Sequence, residues 1–348
     1  NRTPLTADDL FPGGDLGPDR VPFVRADNTV PLIIENAPPT PPPPPAPPLA
    51  PRPPPPELRP DPSEGRVIWG SGRNDTLEGG NGDDTIWGLA GDDLIRGIRG
   101  NNLMGGGPGN DTIHGGIGND TIWGGPGNDL LNSGGGNNVI WGGGGHDTIY
   151  GGRGNNLMGG GPGNDEVHGG IGNDTIWGGP GNDLLYGGGG SNVIWGGGGR
   201  DTIYGGPGDD MLGGAGGPDL IYGGAGNDRI WGGNGNDTLH GGEGNDTLSG
   251  GAGDDVLHGG AGADTFVFYR NDDRNRLMDF NSDEGDMLQL AASLWRRLDL
   301  TPEQIVERYG RVTDDGNIVL DFGPAANTSI WLMDFSDIHI LSEHIQIV

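Results

Sequence analysis

Aspartate, or asparagine in four copies, recurs at nine-residue intervals between Val67 and Asp264, each time at the end of a glycine-rich phrase. A representative copy is Gly-Gly-Pro-Gly-Asn-Asp-Leu-Leu-Tyr, from Gly178 to Tyr186, and 22 copies follow one another without insertion or deletion. Ca²⁺ takes its oxygen ligands from carboxylates and backbone carbonyls. Glycine-rich turns can present their carbonyls, and the aspartate at the sixth position supplies negative charge. The repeat therefore predicts a row of calcium sites.

In a coil with two copies per turn, every second copy lies on the same side, so the sixth positions form two ladders. The first ladder has an aspartate in every copy: Asp75, Asp93, Asp111, Asp129, Asp147, Asp165, Asp183, Asp201, Asp219, Asp237 and Asp255. The second ladder mixes aspartate and asparagine: Asp84, Asn102, Asp120, Asn138, Asn156, Asp174, Asn192, Asp210, Asp228, Asp246 and Asp264. Because asparagine lacks the charge, we expect one complete and one interrupted column of ions, weakest between Asn138 and Asn156. The two columns together predict roughly 13 to 20 bound Ca²⁺.

The elements that hold these ladders follow from the eighth position of the copy, which is aliphatic or Met throughout. One inward apolar residue between two outward neighbours predicts a three-residue strand. The other six residues, rich in glycine and ending in Asn-Asp, are typical of turns. The predicted fold is therefore all-β: a parallel β-roll, or β-solenoid, with 18 residues per turn and about 11 turns over residues 67–264.

The phrase Gly-Gly-x-Gly-x-Asp-x-U-x, in which U is a large aliphatic residue, resembles the RTX, or hemolysin-type, calcium-binding nonapeptide. The resemblance covers residues 67–264 and implies a parallel β-roll that folds on Ca²⁺ and unfolds with a chelator. In that family the chain stays unfolded in the calcium-poor cytosol and folds outside the cell. The resemblance thus implies a bacterial protein exported by type I secretion to the extracellular space or the cell surface.

Residues 265–348 resemble the C-terminal region of type I secreted RTX proteins. The residues that carry this resemblance are Ala263-Asp264-Thr265-Phe266-Val267-Phe268, Asp279-Phe280, Gly285-Asp286 and Asn317-Ile318-Val319-Leu320-Asp321-Phe322. The resemblance implies a small, mostly β cap over the last turn and an uncleaved export signal. From the residues themselves we expect Thr301 to N-cap a helix through Arg308. We also expect strands over Asn317–Phe322 and Ser329–Met333.

Two segments precede the array. Residues 1–37 are polar apart from the apolar run Val30–Ile34, which fits either a docking strand at the open end of an array or an unstructured tail. Residues 38–66 are a proline-rich linker, in which most positions from Pro38 to Pro62 are proline. This composition favours polyproline II, so the segment is expected to be a stiff spacer or a ligand for proline-binding domains.

Composition argues against several classes of function. The formal net charge of −30 disfavours nucleic acid or an anionic membrane as partner. No apolar run is long enough to span a bilayer, so no membrane span is expected. Cysteine is absent, as is the His-Glu-x-x-His motif of metalloproteases. Too little chain lies outside the array for a usual catalytic domain, so we expect a protein that is not an enzyme.

The ninth position of the copy distinguishes the two sheets of the roll. One sheet carries every tryptophan of the array: Trp69, Trp87, Trp123, Trp141, Trp177, Trp195 and Trp231. Because a soluble monomer rarely exposes so long an apolar strip, we interpret these residues as an interaction face. Gly105, Gly159 and Gly213 interrupt the strip and would leave notches for a partner. The alternative is that the indoles fold over adjacent turns and rigidify the roll. The opposite sheet carries four histidines, either a metal stripe or surface decoration: His114, His168, His240 and His258.

The sequence supports three hypotheses of function. The first is a secreted, non-enzymatic calcium-binding structural protein that self-associates into a filament or layer in the extracellular matrix or at the cell surface. The second is an adhesin or polysaccharide-binding module that uses the tryptophan face. The third is the C-terminal part of a larger secreted RTX protein whose catalytic domain precedes Asn1. Ice binding is disfavoured, because the tryptophan face lacks regular outward rows of threonine or asparagine.

Overall fold

The structure, a computed structural model, describes residues 64–295 and 298–348. The expected docking strand at Val30–Ile34 lies outside the described residues, and so does the proline-rich linker except for its last three positions. Within the described residues the chain forms two long β-sheets joined by tight turns. We call them the tryptophan sheet and the tyrosine–histidine sheet, after the residues at the ninth position of the copies.

The tryptophan sheet has 14 strands, in this spatial order: β1 (Val67–Trp69), β3 (Thr85–Trp87), β5 (Leu103–Gly105), β7 (Thr121–Pro126), β9 (Val139–Gly144), β11 (Leu157–Gly159), β13 (Thr175–Pro180), β15 (Val193–Gly198), β17 (Met211–Gly216), β19 (Arg229–Asn234), β21 (Thr247–Ala252), β23 (Thr265–Phe268), β25 (Met287–Leu290) and β29 (Ile345–Ile347). The tyrosine–histidine sheet has 15: β2 (Thr76–Gly80), β4 (Leu94–Arg99), β6 (Thr112–Ile117), β8 (Leu130–Gly135), β10 (Thr148–Arg153), β12 (Glu166–Ile171), β14 (Leu184–Gly189), β16 (Thr202–Pro207), β18 (Leu220–Ala225), β20 (Thr238–Glu243), β22 (Val256–Ala261), β24 (Asp273–Leu277), β28 (Thr328–Leu332), β27 (Ile318–Asp321) and β26 (Gly310–Val312).

Within the array, neighbouring strands are parallel and pair at an offset of two copies, which is one turn of the coil. Ile149 pairs with Val167, and Val167 pairs with Leu185, so equivalent residues of successive turns lie side by side. This register confirms the all-β parallel solenoid with 18 residues per turn. Strands β23 and β24, which follow the last copy, pair in parallel with the array and extend the solenoid to about 12 turns.

The aliphatic residue at the eighth position of each copy forms the core. From Ile86 to Leu257 these side chains are fully buried, and they stack as columns between the two sheets. At the N-terminal end, Ile68 and Leu77 are only partly buried, because no described turn covers them. Each turn thus buries its apolar residues against its neighbours, as expected of a solenoid.

The strands are longer than the three residues that the sequence predicted. Most span six residues, as in β6, where Ile113 and Gly115 are both buried. The first glycine of the copy therefore belongs to the strand and points inwards. A Cβ atom on Gly115 would lie 2.5 Å from Oδ2 of Asp120, so glycine is required there to leave space for the ladder carboxylate.

Residues after Asp264 form a small, mostly β cap. Strands β25 and β29 extend the tryptophan sheet in parallel, and β26, β27 and β28 form an antiparallel meander at the end of the other sheet. Helix α1 (Pro302–Tyr309) begins after Thr301, whose hydroxyl caps it as predicted. Short 3₁₀ segments span Ala292–Trp295 and Leu341–His344. Among the described residues, no helix is long and apolar enough to cross a membrane.

Candidate calcium-binding ladders

Each ladder residue ties its own turn to the preceding one. Oδ1 of Asp147 accepts a 2.8 Å hydrogen bond from the backbone N–H of Asp129, one turn earlier. Oδ1 of Asp129 in turn accepts a 2.7 Å bond from the backbone N–H of Asp111. From Asp84 to Asp264, every ladder side chain is at most 3 % exposed. The two ladders are therefore internal columns rather than rows on the surface.

The second carboxylate oxygen of most ladder aspartates is buried without any hydrogen-bond donor. This holds for Oδ2 of Asp93, Asp111, Asp120, Asp129, Asp147, Asp165, Asp174, Asp183, Asp201, Asp210, Asp219, Asp228, Asp237, Asp246, Asp255 and Asp264. Ten of these sixteen aspartates belong to the first ladder and six to the second. A buried acceptor without a partner costs about 1–3 kcal/mol, and more when it is charged. A bound cation would remove this cost by contacting the unpartnered oxygens.

Backbone carbonyl oxygens face the same space as these carboxylates. A Cβ atom built on Gly124 would lie 2.2 Å from Oδ2 of Asp129 and 2.5 Å from the carbonyl oxygen of Gly142 in the next turn. Among the described residues, no point is surrounded by three or more acidic or histidine side chains, so carbonyls must complete any coordination shell. Carboxylate and carbonyl oxygens together are the ligand set that Ca²⁺ prefers. The residues present therefore fit calcium.

Burial also raises the pKa of the sixteen ladder aspartates whose Oδ2 has no donor. Loss of hydration outweighs the hydrogen bond from the preceding turn, and neighbouring carboxylates add to it, so the pKa values of Asp129, Asp183 and Asp219 rise to about 8. In the second ladder, loss of hydration raises the pKa of Asp210 and Asp246 to about 6. Full ionisation of Asp129, Asp183 and Asp219 at neutral pH therefore requires neutralising cations.

The first turn of the array differs from the others. Oδ2 of Asp75 accepts hydrogen bonds from the backbone N–H and the hydroxyl of Ser71, at 2.6 and 2.8 Å. Oδ2 of Asp84 accepts a 2.6 Å bond from the N–H of Gly80. These two predicted ligands already have donors, so their assignment as calcium ligands rests on their position in the repeat.

In the second ladder, asparagine side chains donate hydrogen bonds from the position where an aspartate has an unpartnered oxygen. Nδ2 of Asn102 donates to the carbonyl oxygen of Gly100 at 3.1 Å and to Oδ1 of Asp120 at 2.9 Å. Nδ2 of Asn156 does the same with Gly154 and with Oδ1 of Asp174, both at 3.0 Å. The amide nitrogen stands where an aspartate would place its unpartnered Oδ2. An N–H donor thus takes the place of a cation contact.

A second kind of ladder runs along the fifth position of the copies, where the sequence predicted only turn residues. Oδ1 of Asn110 accepts a 2.8 Å hydrogen bond from the backbone N–H of Asn128, one turn later. Arg200 occupies this position without an acceptor, and the equivalent residue of the next turn is Pro218, which has no N–H to satisfy. The pairing of Arg200 with Pro218 was the signal in the sequence that could have disclosed this ladder.

Comparison with known proteins agrees with this geometry. The family model described as the RTX calcium-binding nonapeptide repeat (four copies) matches overlapping ranges: 69–104, 105–140, 123–158, 159–194, 177–212, 186–221, 213–248, 231–266 and 240–274. These ranges cover residues 69–274 without a gap, which is more than half of the 348-residue chain. The chain belongs to the RTX repeat family. Its array is a calcium-binding β-solenoid, and Ca²⁺ is its cofactor.

Three solved structures are similar to parts of this RTX chain. The AlgE6R3 subunit of the Azotobacter vinelandii mannuronan C5-epimerase is 29 % identical over 38 % of this chain and 80 % of its own, with a TM-score of 0.32. Extracellular lipase LipA of Serratia marcescens is 21 % identical over 58 % of this chain and 40 % of its own, with a TM-score of 0.31. A hyperactive, Ca²⁺-dependent, β-helical antifreeze protein of an Antarctic bacterium is 22 % identical over 72 % of this chain and 89 % of its own, with a TM-score of 0.30. No curated protein matches the chain.

The tryptophans of the RTX array lie on one sheet, but they are not equally accessible. Trp87, Trp141 and Trp195 are only 6–7 % exposed. The other four are half-buried: Trp69, Trp123, Trp177 and Trp231. The accessible part of the tryptophan strip therefore consists mainly of these four indoles.

The glycines between the tryptophans do not leave open notches, contrary to the expectation from sequence. A Cβ atom on Gly105 would lie 2.2 Å from Cζ3 of Trp87, because that indole covers the glycine. Trp123, on the far side of Gly105, stacks on Trp87 with ring centroids 6.1 Å apart. The same arrangement joins Trp141 with Trp177 at 5.9 Å. Glycine here makes room for the chain's own tryptophan.

The opposite sheet carries a continuous stack of seven rings with centroids 4.5–5.0 Å apart: Tyr150, His168, Tyr186, Tyr204, Tyr222, His240 and His258. His168 also contacts Oε1 of Glu166 through Nε2, at 2.8 Å. The ring faces are used within the stack, and among the described residues no group of three potential ligands gathers around any histidine. The arrangement supports a structural role for these histidines.

Proposed function

We propose that this RTX protein is a secreted, calcium-binding structural protein whose solenoid folds on Ca²⁺ and then self-associates into an extracellular or cell-surface assembly. The observation that carries the proposal is the pair of internal ladders with sixteen buried Oδ2 atoms that have no donor. At neutral pH such columns need cations to neutralise them, so the metal is part of the fold. We therefore expect the chain to be unfolded where calcium is scarce and folded where calcium is abundant.

Removal of calcium tests the first half of the proposal. We expect the far-ultraviolet circular dichroism of the calcium-free chain to lose its β-sheet signal and to recover it when Ca²⁺ is added. Mg²⁺ is the matched control, because it demands octahedral geometry and gives up its water reluctantly. Equal folding with and without Ca²⁺, or equal rescue by Mg²⁺, would contradict the proposal.

The tryptophan sheet supports self-association as the second half. Trp123, Trp177 and Trp231 recur at every sixth copy of the repeat and remain half-buried. The indole nitrogens of Trp123 and Trp177 are buried without a partner, so this face offers apolar contact rather than hydrogen-bond donors. An apolar strip with a fixed repeat suits a second copy of the same chain better than a hydroxyl-rich polysaccharide.

Electron microscopy and sedimentation of the full chain test association, with Ca²⁺ and after its removal. We expect calcium-dependent assemblies that are lost in the variant Trp123→Ser/Trp177→Ser/Trp231→Ser. The matched variant Tyr186→Ser/Tyr204→Ser/Tyr222→Ser changes the opposite sheet and should still assemble. Monodisperse wild-type protein whose tryptophan fluorescence is quenched by added polysaccharide would favour the adhesin hypothesis instead.

Export is the remaining part of the proposal. The resemblance of residues 265–348 to the end of type I secreted RTX proteins supports release by that route, and the RTX array supports folding after release. Co-expression with a type I transporter in a bacterial host tests this. The full chain should appear in the medium, whereas a chain without residues 265–348 should remain in the cell.

A further inference from the structure

The first ladder ends at Asp255, one copy before the repeat stops and the cap begins. In the interior of this ladder, most inward glycines lie between a carboxylate and a carbonyl oxygen of the next turn. At Gly232, a Cβ atom would lie 2.3 Å from Oδ2 of Asp237 and 2.4 Å from the carbonyl oxygen of Gly250, which stands one turn further on. The position two copies after Gly250 is occupied by Phe268 rather than by glycine. The carbonyl oxygen of Phe268 accepts the N–H of Ala291 and is not among the nearest atoms to the Cβ position of Gly250.

A side chain of the cap takes the place of the next-turn carbonyl oxygen at Gly250. A Cβ atom on Gly250 would lie 2.1 Å from Oδ2 of Asp255 and 2.7 Å from Oδ1 of Asn275, which belongs to strand β24. At Gly232, the oxygen from the following turn is the carbonyl oxygen of Gly250. At Gly250, the corresponding oxygen is Oδ1 of Asn275. The offset from Asp255 to Asn275 exceeds two copies of the repeat, so the period does not disclose it.

Asn275 is buried and its amide is oriented. The residue is 0 % exposed. Its Nδ2 donates a 2.6 Å hydrogen bond to the carbonyl oxygen of Asp272. Its Oδ1 has no hydrogen-bond donor at all, and neither does the neighbouring Oδ2 of Asp255. Two buried acceptors that face one space without a proton between them repel each other, and a cation between them removes that cost.

The second ladder ends at an aspartate of the cap rather than at an amide. A Cβ atom on Gly259 would meet Oδ2 of Asp264 at 2.3 Å and the ring of Phe266 at 3.0 Å, with no further oxygen among its nearest neighbours. The backbone N–H of Asp264 donates to Oδ1 of Asp286 at 2.8 Å, and Oδ2 of Asp286 accepts the N–H of Asn281 at 2.8 Å. The cap thus continues this ladder by one aspartate, while Oδ2 of Asp264 has no hydrogen-bond donor.

We propose that Asn275 is a calcium ligand, whose Oδ1 replaces the missing glycine carbonyl and completes the last ion site of the first ladder at Asp255. This inference rests on the proposed function, because it requires the ladders to hold Ca²⁺. The site joins an array residue to a cap residue. Calcium therefore fastens the C-terminal cap to the solenoid, in addition to folding the repeats themselves.

Ion counting by native mass spectrometry on the full chain tests the proposal, since it resolves single bound ions. At saturating Ca²⁺, Asn275→Ala should carry one ion fewer than the wild type, while Asn275→Asp, which keeps an oxygen, should carry the full number. The Ca²⁺ concentration that half-protects the cap from proteolysis should rise about tenfold or more in Asn275→Ala. Asn317→Ala is the matched control, because it removes an amide that accepts the N–H of Asp334 within the cap, away from the ladder.

The outcomes separate the two proposals. If Asn275→Ala keeps the full ion count and only weakens the cap, as Asn317→Ala does, Asn275 is a structural amide and the proposal is overturned, although calcium-dependent folding stands. If Asn275→Ala does not fold, the count on Asn275→Asp decides, because a loss of one ion there also overturns the proposal. If the wild type binds no Ca²⁺, both proposals fail together.

Discussion

Nδ2 of Asn138 donates a 3.0 Å hydrogen bond to Oδ1 of Asn156, the equivalent residue one turn later. It also donates to the carbonyl oxygen of Gly136, at 3.0 Å. At the same step Ser133, which replaces the first glycine of its copy, donates its hydroxyl to the carbonyl oxygen of Gly151 at 2.6 Å. Elsewhere in the ladders, a side-chain oxygen and a glycine carbonyl oxygen border most ion spaces. At this step both kinds of oxygen, Oδ1 of Asn156 and the carbonyl oxygen of Gly151, accept hydrogen bonds instead.

We predict that this step holds no calcium and that three substitutions create a site there. The variant Ser133→Gly/Asn138→Asp/Asn156→Asp restores the glycine and both carboxylates, so it should bind at least one Ca²⁺ more than the wild type. Without Ca²⁺ it should be less stable, because its new carboxylates are buried without partners. Native mass spectrometry and urea unfolding measure the two effects.

The control for this variant is Asn137→Asp, one residue away. Asn137 lies on the exposed fifth-position ladder, where its Oδ1 accepts the N–H of Asn155 at 2.8 Å. Aspartate preserves that acceptor, so the control adds charge without adding a site, and its ion count should stay at the wild-type value. An unchanged count in the triple variant would show that Asn138 and Asn156 already bind calcium.

The period of the repeat accounts for most of what could be predicted from the sequence. Because every copy has the same length, the two ladders, the two sheets and the register between turns follow from position alone. The direction of a side chain does not, so the sequence did not show that Trp87 covers Gly105. Contacts across a break in the period were also hidden, as at Asn275, which borders the same space as Asp255 outside the register of the repeat.

The calcium-free fold should be more stable in acid than at neutral pH. Loss of hydration raises the pKa of Asp129 and Asp183 from 3.8 to about 8 in the folded chain. The folded state then binds protons more tightly than the unfolded state. The contribution of these groups to the free energy of unfolding is therefore fully present below their unfolded pKa and is lost as the pH rises through about 8.

Circular dichroism of calcium-free protein between about pH 4 and pH 8 checks this sign. The β-sheet signal should be greatest at the acidic end and should fall as the carboxylates ionise. At saturating Ca²⁺ the trend should reverse, because protons compete with the metal for the same oxygens. A calcium-free chain that gains structure as the pH rises would contradict the prediction.

Ile98 should be a weak point of the solenoid. Its φ angle is +81°, whereas most copies place glycine at this second position of the repeat. A left-handed conformation costs an L-residue roughly 1–2 kcal/mol, and a β-branched side chain is especially unsuited to it. Because Ile98 is 37 % exposed, its removal sacrifices little burial. Ile98→Gly should therefore raise the free energy of unfolding by about 1 kcal/mol.

Urea unfolding at saturating Ca²⁺ measures this effect, with Ile117→Gly as the control. Ile117 is 63 % exposed and is not among the described residues with positive φ, so glycine there brings only a loss of backbone restraint. The control should be destabilised by up to about 1 kcal/mol. Two variants that shift in the same direction would show that Ile98 carries no backbone strain.

Gly159 tests whether the tryptophan sheet is packed by its own indoles. A Cβ atom on Gly159 would lie 2.2 Å from Cζ3 of Trp141, so Gly159→Ala should displace the indole and lower the free energy of unfolding by about 1–3 kcal/mol. Gly144→Ala is the matched control on the same sheet, because no atom lies within 4 Å of its Cβ position. Displacement exposes Trp141, so the tryptophan emission should shift to the red in Gly159→Ala alone. Equal stability and equal emission in the two variants would mean that the indole of Trp141 does not cover Gly159. Gly159 would then be part of the surface that a partner could contact.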